Sequence, residues 1–111
     1  MAKYQREILR GDFDDILNAL HQAVLEGSFS ASYEDGSDWE DGPFRCAVRV
    51  YERYSWTGGN RVSLTLTLAG QPGKYFLSAI TAGGSTGTFF KFNTLGEEAF
   101  LDTISQALES L

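Results

Sequence analysis

The sequence predicts an α+β fold: a two-layer sandwich in which an antiparallel sheet of five to six strands carries two helices on one face, in the order β-α-β-β-β-β-β-α. Three patterns lead there. Apolar residues recur at three- and four-residue steps from Phe13 to Val24. From Phe44 to Leu68 they alternate with polar ones on either side of a glycine turn, and near the end Thr94 with Glu97 opens a second helical stripe.

Residues 3–10 read as an edge strand, because Lys3, Arg6 and Arg10 would discourage pairing with other chains. Phe13, Ile16, Leu17, Leu20, Ala23 and Val24 then share one face of a helix. Asp12 is placed to cap its N-terminus, Asp14 and Asp15 complement its dipole, and Gly27 stops it. Residues 28–33 alternate with period two and predict a strand. Residues 34–43, EDGSDWEDGP, combine turn formers with five acids and predict a solvated loop.

From Phe44 onward, alternation predicts strands whose two faces differ. Phe44, Cys46, Val48 and Val50 are assigned to the core, and Arg45, Arg49, Tyr51 and Arg53 to the opposite face. After a reversal at Thr57-Gly58-Gly59-Asn60, Val62, Leu64, Leu66 and Leu68 are again core, with Arg61, Ser63, Thr65 and Thr67 outward. Pro72-Gly73 fits the two central positions of a type II turn. Strands are expected over residues 75–81 and 88–93, joined by the TAGGSTG connection. In the closing helix Phe100, Leu101, Ile104, Leu108 and Leu111 line one side.

Composition bounds what such a chain does. Its 111 residues predict one domain over 1–111, and 42% hydrophobic with 14% aromatic residues exclude intrinsic disorder. The single thiol, Cys46, excludes an internal disulfide or a cysteine-rich metal site and favours a reducing cytoplasm. No segment has the apolar core of a signal peptide or the roughly eighteen apolar residues of a membrane span. Net charge is −6, but it is partitioned. Residues 11–43 hold nine acids and no Lys or Arg, whereas residues 44–93 hold six basic residues and one acid.

Candidate chemistry is sparse. Cys46 is in phase with the valines and reads as a small core residue rather than a nucleophile, and His21 reads as a boundary residue of the first helix. In the acidic segment Trp39 stands where a calcium loop needs an oxygen ligand, so no metal site is assigned. TAGGSTG lacks the lysine and following helix of a phosphate loop. No catalytic residue and no cofactor follow from these residues.

The run CAVRVYERYSWTGGNRVSLTLTL, with FLSAITAGGS, FFKFNTLGEEAFL and QREILRGDFDDILNAL, resembles a family of small uncharacterised bacterial proteins, mostly from Firmicutes. The resemblance implies a stand-alone cytoplasmic protein and supplies no activity.

The function expected is that of a non-catalytic binding or interaction module. Arg45, Arg49, Tyr51, Arg53 and Arg61 form a basic sheet face for an anionic small molecule or an acidic protein surface. Solvation of that face by unspecialised arginines, or pairing with the chain's own acids, is the plainer alternative. A structural homo-oligomer, in which the basic face of one copy meets the acidic layer of another or two sheet faces stack, is a second, and an enzyme with a pocket near the glycine-rich loop a third. Nucleic acid is disfavoured by a pI near 4.6.

Overall fold

A computed structural model describes residues 2–27, 31–55 and 60–83. Strand β1 (Ala2–Ile8) leads into helix α1 (Phe13–Gly27), followed by β2 (Ser32–Asp41), β3 (Phe44–Ser55), β4 (Asn60–Gln71) and β5 (Lys74–Gly83). The strands form one antiparallel sheet in the order β1-β5-β4-β3-β2. The chain thus runs as a meander from β2 to β5, and β1 joins at the β5 edge.

Local chemistry sets most boundaries. The backbone N–H groups of Asp14 and Asp15 donate to Asp12 Oδ2 at 3.1 and 3.2 Å, so Asp12 caps α1 as its position predicts. Gly73, with φ 95°, makes the β4–β5 turn that Pro72-Gly73 calls for. Gly42, with φ 57°, allows the two-residue reversal between β2 and β3, which a side chain at that position would strain.

The core lies between α1 and one face of the sheet. Phe13, Ile16, Leu17, Leu20 and Val24 meet Leu64, Leu66, Leu68, Tyr75 and Leu77, all buried. Phe13 and Tyr75 pack edge to face with centroids 5.5 Å apart.

Three expectations are corrected. The fold class with two helices on one face does not hold: among the described residues there are five strands and one helix. The expected last strand, the closing helix and the greater part of the Thr57–Asn60 turn lie outside the described residues. The second correction concerns the acidic segment, which is no loop. Nearly all of it is β2, whose strand begins four residues later than predicted, because pairing along β3 from Asp41↔Phe44 to Ser32↔Glu52 satisfies its backbone. Its acids then protect an exposed edge, a role that alternation of hydrophobicity does not reveal.

The third correction inverts β3. Register pairs Ala47 with Leu68, Arg49 with Leu66 and Tyr51 with Leu64, so the arginine-bearing side of β3 faces α1. Cys46, Val48 and Val50 lie on the other side, beside Ala69, Thr67 and Thr65. Tyr51 explains the choice: it is the largest fully buried side chain in the core, and burying it outweighs bringing the half-buried Arg45, Arg49 and Arg53 to the helix side.

Candidate functional site

Two surfaces carry the candidate residues. On the helix side, β3 places Arg45, Arg49, Tyr51 and Arg53 at every second position, spaced through the core edge by the buried Ala47. Arg61 is not with them: β4 turns it to the opposite side, where its Nη1 lies 2.8 Å from Glu52 Oε1. Structure therefore brings four of the five predicted residues together and separates the fifth.

The chain's own acids already engage this arginine row. Arg45 donates through Nη1 and Nη2 to the two oxygens of Asp14, each at 3.0 Å, and its guanidinium carbon sits 4.2 Å above the Phe13 ring. These hydrogen bonds hold the Asp14 carboxyl below its ordinary range and raise Arg45. Arg49 donates to Asp38 Oδ1 at 3.0 Å and to the Val48 carbonyl at 2.9 Å. Burial pulls Arg53 below the usual arginine value.

Between these cations lies an aromatic cluster that the sequence did not signal. His21 Nδ1 is 2.8 Å from the Tyr51 hydroxyl, and Tyr33 of β2 packs against both rings at centroid distances of 5.4 and 5.7 Å. Burial pushes the Tyr51 phenol up to about 12, with Arg49 opposing the rise. A phenol so protonated at neutral pH serves as a hydrogen-bond partner and not as a base.

The other surface is the sheet face turned away from α1. Its residues fall in cross-strand rows. One row reads Lys3, Ile80, Thr65, Val50 and Asp35 from β1 to β2. The next reads Gln5, Ser78, Thr67, Val48 and Ser37, and a third Glu7, Phe76, Ala69, Cys46 and Trp39. The three inner strands contribute no charge to these rows. Within these three rows the charge sits on the outer strands, Lys3 and Glu7 at β1 and Asp35 at β2, while the Arg61–Glu52 ion pair of β4 and β3 lies on the same face beyond the Thr65 row.

Large apolar side chains on this face meet water. Trp39 is 61% exposed, Phe76 42%, and Ile80 and Phe44 38% each. Trp39 and Phe44 touch edge to face at 6.0 Å across the β2–β3 turn. Cys46, expected in the core, is half-buried here instead. Alternation alone does not reveal this face, because valines at every second position of β3 suit a core as well as an open surface. Among the described residues no group of three or more His, Cys, Asp or Glu is arranged to hold a metal ion, and no helix is long and apolar enough to cross a membrane.

No curated protein matches the chain. The family of unknown function DUF6054 matches over residues 1–111, and the chain belongs to that family.

Proposed function

We propose that the protein is a non-catalytic interaction module that works as a homo-oligomer, docking the open sheet face of one copy onto that of another. The observation that carries this reading is the uncharged centre of the face, with Phe76, Ile80, Val48 and Val50 inside a charged margin. An apolar centre inside a polar rim is the anatomy of a protein interface. Exposed aromatics on a flat sheet are otherwise a liability for aggregation, which a specific partner removes.

The anionic-ligand reading of Arg45, Arg49, Tyr51, Arg53 and Arg61 receives less support. A ligand at Arg45 or Arg49 would have to displace Asp14 or Asp38, and Arg61 lies on the other face. We assign Arg45 and Arg49 to holding α1 and β2 against β3. A thiol standing on a partly open surface suits a reducing compartment, which favours the cytoplasm.

Sedimentation velocity over a wide concentration range tests the proposal. The native chain is expected to form a dimer and Val50→Glu to sediment as a folded monomer whose thermal transition, unlike the native one, does not move with concentration. A native monomer at the highest concentration rejects it.

A further inference from the structure

The open face is polarised as well as apolar, and its polarity fixes how two copies would stack. This inference rests on the self-association proposed above and adds its geometry. The row through Thr65 ends in a cation at β1, Lys3, and an anion at β2, Asp35. The third row does not repeat it: at β1 it ends in Glu7, which lies 3.4 Å from Lys74 Nζ, and at β2 it ends in the uncharged Trp39, so the polarity is carried by Lys3 and by the acids Asp35 and Asp41 of β2. Both Lys3 and Asp35 are exposed and lie on the two outer strands of the five.

We propose that the dimer two-fold runs along the central strand β4, so that the β1 margin of each copy covers the β2 margin of the other. A rotation about that line keeps each row in place and reverses its order. Lys3 then faces the partner's Asp35, Ile80 faces the partner's Val50, and Thr65 meets its own copy on the axis. In the third row Phe76 opposes the smaller Cys46, and Ala69 lies on the axis. Small side chains along β4 let the sheets approach to the ordinary spacing of about 10 Å while the larger ones interdigitate at its flanks.

A two-fold running across the strands would be worse. It lays β2 on β2, setting the acidic margin that carries Asp35 and Asp41 against itself; it also brings Lys3 toward the partner's Glu7, but Glu7 is already engaged by Lys74, so the like-charge contact at β2 favours the other arrangement. Size is adequate as well. Five strands about 4.8 Å apart, over a length of about 30 Å, give on the order of 700 Å² of face per copy, close to the roughly 800 Å² per partner of a standard stable interface. The rim pairs Lys3–Asp35 set register and on-rate, and the uncharged rows supply the buried area.

Thiol cross-linking on the full chain reads the orientation. In a Cys46→Ser background, Gln5→Cys and Ser37→Cys are made separately; both leave the charged margins intact. Gln5 and Ser37 sit at opposite ends of one row, about 20 Å apart within a copy, so a bismaleimide with a reach of about 10 Å cannot bridge them in one chain. The proposed two-fold predicts a covalent dimer when the two variants are mixed and little from Gln5→Cys alone, with mixed product at least tenfold above the single-variant product. Efficient cross-linking of Gln5→Cys to itself overturns the orientation while leaving face-to-face association standing. A monomer in sedimentation with no cross-linked product overturns both.

Discussion

The Tyr51 hydroxyl lies 2.8 Å from Nδ1 of His21, 30 positions away in sequence, and so ties helix α1 to strand β3 where both rings also meet Tyr33. The hydroxyl donates in the tautomer that leaves Nδ1 bare and accepts in the other, so either tautomer keeps the contact.

Removing that hydroxyl should cost about 1 kcal/mol, the ordinary worth of a partly buried hydrogen bond. Urea unfolding of Tyr51→Phe at neutral pH measures it. The phenol also predicts behaviour in alkali. Its folded value of about 12 exceeds the ordinary 10.0, so it favours the folded state fully below pH 10 and that contribution fades as pH climbs toward 12. The native chain should lose about 1–2 kcal/mol over that window after allowance for solvent screening. Tyr51→Phe should lack this component, and equal slopes for the two proteins would contradict it.

The Arg45–Asp14 pair makes the opposite prediction in acid. The Asp14 carboxyl is held below its ordinary 3.8, chiefly by the Arg45 hydrogen bonds. Its contribution is therefore present above pH 3.8 and disappears as pH falls through the depressed folded value. Asp14→Asn should be less stable than the native chain at pH 7 and should converge with it at the acid end. Added salt should narrow the neutral-pH gap, because both groups reach solvent. A gap that persists unchanged in acid would mean that Asp14 acts through something other than its charge, and would reject the ion pair with Arg45 as the source of the difference.

How far sequence reading reached follows from what each residue had to decide. Asp12, Gly27, Pro72 and Gly73 act through local backbone geometry, and each does what its position predicts except that Gly27 remains the last residue of α1. Leu64, Leu66 and Leu68 were readable because they alternate with Thr65 and Thr67 along β4, and all three are buried. Strand β3 was not, since both of its faces hold material fit for burial: valines on one, Tyr51 and long arginine stems on the other. Only its register against β4 separates them, and register is a non-local quantity. The acidic strand β2 failed for the same reason, because its pairing with β3 overrides a composition that locally favours turns. With β3 inverted, the expected basic face became a row of internal ion pairs and the apolar face came into view.

Gly36 should be intolerant of a side chain although it lies in an exposed edge strand. A Cβ there would stand 2.9 Å from the Val48 carbonyl oxygen and 3.0 Å from Arg49 Cδ, with the Tyr33 hydroxyl closer still. Gly36→Ala is expected to cost about 1–3 kcal/mol, as overpacking against backbone does. The neighbouring Ser37→Ala should stay within about 0.5 kcal/mol, as surface substitutions usually do. Thermal melts of the pair decide it, and equal effects would mean that β2 shifts freely on β3.

Cys46 offers an internal reporter of the open face. It is half-buried within one copy and next to Trp39 across the β2–β3 pair, and the proposed stacking would set it against the partner's Phe76. Its reaction with a disulfide reagent should therefore be fast in dilute protein, where monomers dominate, and slow as concentration rises. Val50→Glu, which places a charge in the uncharged rows, should react at the dilute rate at every concentration. Slow reaction in both proteins at all concentrations would show the face to be covered within a single chain. Fast reaction in both at all concentrations would show that nothing docks there.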